Sequence, residues 1–433
     1  MTENVIVKDD FIRAFSEHAS EPAFLTESRL AAWKLASELD LPFVDKTKIE
    51  RWNFTEFDTF EGASTGLSNE ALAEKVTNLV DLNKADANYY VQVDARPARL
   101  QLSKELQEQG VILTDIVTAA KEHPDLFKQY FMNEAVQVDE HKLTAFHAAL
   151  VNGGVFLYVP KNVEISEPIQ TIFVQQDAKK PLVNHVLVVA DDNSSVTYVE
   201  NYVSLDAEGT GIANIVEEVI ANRNARITFG AVDNLSKGVT TYMNRRGHIG
   251  ADSTIEWALG LMNDGDTINE NITNLMGDGS TGDVKTVTVG RFKQTQNVTT
   301  RVTHYGKAST GTILSHGVMK DKATTIFNGI GHIKHGASKS DAQQESRVLM
   351  LSKGARGDAN PILLIDENDV VAGHAASVGR VDPVQLFYLM SRGISKQEAE
   401  RLVIHGFLDP VVKQLPIEGV KVMLKEVIEG KVR

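Results

Sequence analysis

Proline is absent from a long central part of the chain, and this absence constrains the fold more than any other feature. The chain has 11 prolines, but none occurs from Leu182 to Asn360. Proline is tolerated in loops and first helical turns, whereas inside a sheet it removes a ladder hydrogen bond. The same span is rich in Val, Ile, Thr, Gly, Asn and Asp. It therefore predicts continuous, mostly internal β-structure.

Alternation and turn spacing indicate how this β-structure is organised. Apolar side chains occupy every second position from Ile255 to Leu261, which is the period of a strand. Clusters of turn residues begin at positions 222, 250, 277, 306 and 336, so they lie 27 to 30 residues apart. Such spacing favours stacked coils, in which each coil covers the open edge of its neighbour. The periodicity alone leaves a β-sandwich open as the alternative.

Changes of period divide the chain into three predicted domains. Residues 1–150 have mostly helical spacing and predict an N-terminal, mainly helical domain, with a short strand pair at 88–102. Residues 151–381 carry the period of two and predict the β-solenoid core. Residues 382–433 return to helical spacing and predict a C-terminal helical domain.

The C-terminal domain has explicit helix-start signals. Asp382 and Pro383 provide an N-cap and a first helical residue, and Ser395 begins a capping box. The pair Asp409-Pro410 is expected to open a third helix. The first helix carries more apolar side chains than so small a unit can bury alone. We expect the last coil to cover some of this apolar surface and a partner to cover the rest.

Composition excludes several classes of function. The net charge of −14 argues against a general phosphate-binding role, so no nucleic-acid partner is expected. The absence of cysteine excludes disulfides, zinc–thiolate sites and a cysteine nucleophile. No run of 18 apolar residues and no basic, apolar leader occurs, so we expect a cytoplasmic protein without a membrane partner. Neither a phosphate-cradling GxxxxGK[ST] loop nor a GxSxG elbow is present.

Carboxylates are concentrated in the middle of the β-span. Some polysaccharide-cleaving solenoid enzymes use carboxylate clusters, so a carbohydrate-active enzyme is an alternative function. Asp beside Gly is also the usual chemistry of tight turns, and that interpretation is favoured here. The residues concerned are Asp252, Glu256, Asp264, Asp266, Glu270, Asp278 and Asp283.

Five histidines lie in the second half of the β-span or at its end: His304, His316, His332, His335 and His374. His332 and His335 are three apart, which in a strand places them on opposite faces, so they are not expected to share a metal. His374 has small neighbours on both sides, which leave its imidazole accessible to a partner or an ion. A lone histidine is nevertheless more often a packed or surface residue.

Two long segments, 368–412 and 146–170, resemble the SufB/SufD family of iron–sulfur cluster assembly proteins, and the aromatic segment 48–57 is a weaker match. The first contains a histidine among small residues, a Leu-Phe-Tyr helix and a Ser-Arg-Gly turn. The second contains the run GGVFLYVPKNVEISEPIQ. The short N-terminal unit and the absence of cysteine resemble the SufD branch more than the SufB branch.

The resemblance implies a right-handed parallel β-helix between N- and C-terminal helical domains. It implies a non-catalytic scaffold subunit of the SufBCD complex, which pairs with SufB through the β-helix and docks the SufC ATPase through its C-terminal helices. It implies no stably bound cofactor, but a transient iron–sulfur cluster shared with SufB. A self-associating structural solenoid remains a third option, and a homodimer in isolation fits either interpretation.

The resemblance also indicates individual residues. His374 matches the histidine proposed in the family as a cluster ligand at the SufB interface, and histidine can replace some of the thiolates that usually hold such clusters. The match is not complete, since Ala372 stands where some relatives carry cysteine and Ala375 where glycine is commoner. The docking residues expected in the C-terminal domain are Leu386, Phe387, Tyr388, Met390 and Arg392.

Overall fold

The structure is a computed structural model that describes residues 5–62 and 87–432. Helices occupy both ends of the described chain, and none of those described is long and apolar enough to span a membrane. The helices are α1 Asp9–His18, α2 Ala23–Glu38, α3 Lys104–Glu108, α4 Ile116–Glu122, α5 Pro124–Tyr130, α6 Lys142–Leu150, α7 Pro383–Ser391, α8 Lys396–Val412 and α9 Glu418–Val432.

Nineteen strands are described, and all but the first three follow α6. They are β1 Asn88–Val93, β2 Arg96–Gln101, β3 Ile112–Asp115, β4 Gly153–Val159, β5 Ile169–Gln175, β6 Leu182–Ala190, β7 Ser195–Ser204, β8 Thr210–Ala221, β9 Arg226–Asn234, β10 Gly238–Ile249, β11 Thr254–Leu261, β12 Thr267–Leu275, β13 Thr281–Gly290, β14 Thr295–His304, β15 Thr310–Met319, β16 Thr324–Ile333, β17 Asp341–Met350, β18 Arg356–Ile365 and β19 Val371–Arg380.

The strands form two long sheets. Odd-numbered strands from β5 to β19 lie in one sheet, and even-numbered strands from β4 to β18 lie in the other. Every strand from β4 to β17 pairs in parallel with the strand two places later. The chain therefore alternates between the sheets and completes about eight coils. The predicted parallel solenoid is confirmed, and the β-sandwich alternative is wrong.

The core lies between the two sheets, where residues at the same position of successive coils stack. Tyr198, Phe229 and Trp257 are register partners on β7, β9 and β11. Their ring centroids lie 5.0 and 4.9 Å apart, and all three side chains are fully buried. A column of aromatic rings at this spacing removes large apolar areas from water and holds the coils in register.

The N-terminal end of the solenoid is closed by other parts of the chain. Strands β1 and β2 extend the ten-stranded sheet, and β3 extends the nine-stranded sheet. Leu102, Leu106, Val111 and Leu113 from this region join the main core. Helices α1, α2 and α4–α6 pack on the outer face of the first even-numbered strands.

The C-terminal helices α8 and α9 pack on the outer face of the ten-stranded sheet. As predicted, Asp382 caps α7 by accepting from the Val384 N–H at 2.8 Å, and Ser395 caps α8. The helix start expected at Asp409-Pro410 is wrong, because α8 runs through Pro410 to Val412. Pro410 lies in the last turn of α8. Its missing N–H therefore removes a single helical hydrogen bond, close to the end of the helix.

Helix gives way to strand between Leu150 and Gly153, and strand gives way to helix between Arg380 and Pro383. Between these points the described chain is β-structure joined by short turns. Strands β1–β3 precede the first point but belong to the same two sheets. The division into three domains stays a prediction.

Candidate partner interface at the open end of the solenoid

The two sheets end at β18 and β19. Within the described ranges 5–62 and 87–432, no strand pairs with the outer edge of either. Each edge therefore presents unpaired backbone N–H and C=O groups. Such an edge is a template for pairing with another chain. We call the surface formed by β18 and β19 the open end.

Apolar side chains are exposed on the open end because no further coil covers them. Val348 on β17 is 2% exposed, whereas its register partner Val378 on β19 is 41% exposed. The same contrast applies along both last strands. Exposed apolar residues there are Ile362, Leu364, Ile365, Val371 and Val378. Exposed apolar side chains gathered at one end in this way are typical of interaction surfaces.

His374 lies on β19 in a row of residues that faces the interior in every earlier coil. Its register partner is Gln344, which pairs in turn with Ile313, and the row continues through Val284 to Trp257. Those four partners are buried, whereas His374 is exposed. His374 therefore occupies an interior position that is left open because the solenoid ends there.

The surroundings of His374 leave its imidazole available. It makes no hydrogen bond or ion pair with any residue in the described part of the chain. Gln344 beneath it donates from Nε2 to the Ile362 carbonyl at 3.0 Å, while its buried Oε1 has no described partner. No group of three or more His, Cys, Asp or Glu side chains placed to hold a metal occurs among the described residues. On this surface His374 is a single potential ligand.

The other histidines lie elsewhere. His304 is buried, its Nδ1 lies 2.8 Å from Ser309 Oγ, and burial lowers its pKa to about 4. His316 lies under α8, with Nδ1 3.0 Å from the Phe407 carbonyl oxygen and its ring stacked on Phe407. The expectation that His332 and His335 share a strand is wrong, because β16 ends at Ile333.

Four of the seven carboxylates of 251–283 lie in turns, namely Asp252, Asp264, Asp266 and Asp278, whereas Glu256, Glu270 and Asp283 lie on strands β11, β12 and β13. Asp252 has φ of 57° in a turn, Asp278 accepts from the Lys307 N–H, and Asp266 accepts from the Thr295 N–H at 2.7 Å. Asp264 pairs with Arg291. These partners support the turn interpretation over a carboxylate cluster for polysaccharide cleavage.

Helix α7 starts three residues after β19 ends, so it projects from the open end. None of its residues is buried; Phe387 is 72% and Tyr388 55% exposed. The Arg392 guanidinium lies 5.0 Å from the Tyr388 ring centroid, which is cation–π distance. Leu386 is half-buried and Met390 is exposed. The predicted docking residues thus share one exposed helix and its C-terminal turn, and their role stays a prediction.

The last C-terminal helix packs closely on the ten-stranded sheet. A Cβ on Gly230 would lie 2.6 Å from side-chain atoms of Ile417 and Val420, and one on Gly260 would lie 2.2 Å from Leu424 Cδ2. These two glycines on the outer face of the ten-stranded sheet therefore allow α9 and its preceding turn to approach the strands. The helices that follow α7 are anchored, whereas α7 is not.

A buried group of charges inside the solenoid was not predicted from the sequence. Arg245 donates from Nε to Glu217 at 2.7 Å and from Nη2 to Asp233 at 2.8 Å and to Glu200 at 3.1 Å. Burial raises the pKa of Glu217 to about 7 and also raises the pKa of Glu200. Three carboxyls therefore surround one guanidinium, and burial favours the protonated forms of Glu200 and Glu217. No local signal marks these residues, because coil stacking alone brings them together.

Comparison with known proteins agrees with this architecture. Residues 11–171 match the family model described as "SufBD protein N-terminal region", and residues 173–407 match "SUF system FeS cluster assembly, SufBD core domain". The boundary between the two matches falls inside the first coil, at β5. The matches together include the solenoid, α7 and most of α8.

Curated relatives match over nearly the whole chain. The Bacillus subtilis protein "Iron-sulfur cluster assembly protein SufD" is 62% identical over 99% of this chain and 98% of its own length. A Staphylococcus haemolyticus protein described as an iron-sulfur cluster assembly SufBD family protein is 28% identical over 96% of this chain and 90% of its own length. The chain belongs to the SufB/SufD family of iron–sulfur cluster assembly proteins, and within that family it is most like SufD.

Proposed function

We propose that this chain is a cytoplasmic, non-catalytic scaffold subunit in iron–sulfur cluster assembly. In this proposal it pairs with a SufB partner through the open end, and its C-terminal domain, residues 382–433, docks the SufC ATPase through the exposed side chains of α7. The observation that carries the proposal is the open end itself: two unpaired strand edges with exposed apolar side chains, followed at once by a helix with no buried residue. An edge of this kind is otherwise an aggregation hazard.

The cluster in this proposal is cargo. His374 contributes one ligand from the last interior row, and the partner contributes the thiolates, because this chain has no cysteine. A solenoid pairing edge to edge with β19 would place its own end residues beside His374. The site is then complete only in the complex.

Docking of SufC is tested by a pull-down with the purified ATPase. The variant Phe387→Asp places a charge on the exposed helix without disturbing the core, and we expect it to weaken retention at least about tenfold. Val422→Asp is the matched control, because Val422 is an exposed apolar residue on α9. Equal retention of both variants contradicts docking through α7.

Pairing with SufB is tested by co-purification of the two proteins. Val378→Asp introduces a charge into the apolar open end and is expected to abolish pairing, while Val422→Asp again serves as control. The same surface can also pair two copies of this chain, so the oligomeric state is measured in isolation. A Val378→Asp variant that still pairs with SufB refutes the assignment of this interface.

The ligand role is tested by anaerobic co-expression with SufB and SufC, followed by iron and sulfide quantification. His374→Ala is expected to leave the complex intact and to reduce the cluster yield severalfold. His335→Ala is the matched control, because its side chain is 91% exposed on a turn near the open end. Unchanged yield with His374→Ala assigns that histidine a role other than ligand.

A further inference from the structure

A cavity of about 280 Å³ opens on the side of the solenoid, away from the open end. It spans four successive coils at the turns that lead from odd-numbered to even-numbered strands. This volume lies near the lower end of the range for small-molecule sites. The residues that line the cavity include Ser204, Ser236, Lys237, Asp264, Arg291 and Phe292.

Phe292 stands out because of its backbone conformation. Its φ is 62°, in the left-handed region that bulky side chains rarely adopt. Other left-handed turn positions along the solenoid are occupied by Asn193, Asn224 and Asp252, whose residue types tolerate this conformation. Among the described residues with positive φ, Phe292 is the only aromatic one. A strained residue kept at a turn suggests a use for its side chain.

The Phe292 ring holds two cations at the cavity wall. Lys237 Nζ lies 5.2 Å and Arg291 Cζ lies 4.7 Å from the ring centroid. Cation–π attraction stabilises each of them there. Lys237 has no ion-pair partner in the part of the chain that the structure describes. Two like charges on one ring repel each other, and an anion between them would relieve that repulsion.

Ser204 and Ser236 of the same wall belong to a buried polar group. Ser236 Oγ is closed off from solvent and makes no hydrogen bond with a described residue. Its N–H donates to Ser204 Oγ at 3.1 Å, and that hydroxyl donates to Gln175 Oε1 at 3.1 Å. The Gln175 Nε2 amide is buried and also lacks a described partner. Buried donors without acceptors are unfavourable, and the described residues supply an acceptor to neither group.

We propose that this cavity binds a small oxyanion, of the phosphate or carboxylate class, between Lys237 and Arg291 on the wall formed by Phe292. The charged side chains around the cavity favour an anion of low charge. Arg291 already donates to Asp264, which also contacts Lys431 of α9, and Glu208 stands on the opposite rim. Lys237 supplies the cation that is not otherwise neutralised. The inference does not depend on the proposed function.

The test is isothermal titration calorimetry of the full chain with inorganic phosphate and, separately, with acetate, against sodium chloride at matched ionic strength. Saturable binding of either anion at one site supports the proposal, and the absence of binding by both overturns it. Lys237→Ala is expected to weaken binding at least about tenfold. Lys307→Ala is the matched control, because Lys307 is an exposed lysine on the opposite row of turns. Equal affinity of both variants also overturns the proposal.

A second variant separates binding from folding. Asparagine tolerates the left-handed conformation, so Phe292→Asn is expected to raise the melting temperature by about 1–3 °C. The same change removes the ring that holds both cations, and we expect it to weaken anion binding at least about threefold. If Phe292 were purely structural, the variant would lose stability and keep its affinity, and that result overturns the role assigned to the ring.

Discussion

The two ends of the solenoid are built from the same coils but are finished differently. At the N-terminal end, β1–β3 and the following segment add strands and apolar side chains to the core, so Tyr90 and Phe173 are fully buried. At the C-terminal end, no strand in the described part of the chain extends β18 or β19, and Val371 and Val378 are more than 40% exposed. Stacked coils need a cap at each end to protect their edges.

This difference indicates that the two ends serve different purposes. At the closed end, the chain itself supplies the strands and apolar side chains that cover the first coil. The open end keeps interior-type residues, including His374, at the surface. A second subunit could supply the missing cap, and in that case stability and assembly are linked by mass action. Matched changes in covered and open regions test this difference.

Truncation of an apolar side chain is expected to give the largest difference in stability loss between the closed end and the open end. Phe173→Ala removes a fully buried ring that stacks on Tyr202 with centroids 4.7 Å apart, and it should cost about 3–5 kcal/mol. Val378→Ala at the open end should cost the isolated chain less than about 0.5 kcal/mol. Urea unfolding followed by circular dichroism measures both. Comparable losses for the two variants would show that the open end is structurally closed in solution.

The closed end of the solenoid also contains a hydrogen-bonded chain of titratable groups beneath α6. Asn214 Nδ2 donates to the Leu143 carbonyl, so its Oδ1 accepts from His147 Nδ1 at 3.0 Å. A neutral His147 then accepts at Nε2 from His185 Nδ1, also at 3.0 Å. This leaves His185 Nε2 unprotonated at 3.2 Å from Glu218 Oε2, which favours a protonated Glu218. Burial acts in the same direction, raising the pKa of Glu218 to about 8 and lowering that of His185 to about 3.

These shifts predict a stability plateau between about pH 4.5 and 6.5, because the two titrations oppose each other there, with losses on either side. The lowered pKa of His185 gives stability that is present above about 6.5 and is lost as the pH falls toward 3. The raised pKa of Glu218 gives stability that is present below about 4.5 and is lost as the pH rises through 8, by about 2 kcal/mol between pH 6.5 and 8. Urea midpoints measured from pH 5 to 8.5 test this, and Glu218→Gln should flatten the alkaline limb. An unchanged alkaline limb in that variant contradicts the assignment.

A smaller difference in stability loss is expected when valine replaces each of two glycines on strands of the ten-stranded sheet. Gly260→Val would push a side chain into Leu424 of α9 and should cost about 1–3 kcal/mol. Gly379→Val on β19 is the matched change, since a Cβ there meets nothing within 4 Å. It should be neutral for the isolated chain. Thermal unfolding compares the two variants, and equal destabilisation would mean that α9 does not pack on the sheet as described.

Much of this architecture could be predicted from the sequence. The missing prolines and the turn spacing identified the coils. Pro361 agrees with the rule that a proline in a sheet lies on an edge strand, because β18 has a free edge. Helix caps such as Asp382 identified the C-terminal helices. Local chemistry decides these features, so a local pattern reveals them.

Strand register could not be predicted. His374 belongs to an interior row only because Gln344 is its partner, 30 residues earlier, while other steps of the same row are 27 to 31 residues long. Turn lengths set these steps, and no period fixes them. The charges around Arg245 were missed for the same reason. Glu200 lies 45 positions from Arg245 in the chain and reaches it only through stacking.

The smallest effect on stability is expected at His374 itself, and a second histidine sharpens the comparison. His304 and His374 both lie on interior rows, but His304 is covered by the next coil and contacts Ser309 through Nδ1. His304→Ala opens a cavity and leaves Ser309 with one partner fewer, so it should cost about 2 kcal/mol or more. His374→Ala removes an exposed ring and should change the free energy of unfolding by less than about 0.5 kcal/mol. Urea unfolding of the isolated chain measures both. A large loss for His374→Ala would mean that its ring packs against its own chain, and it would then not be free for a partner's cluster.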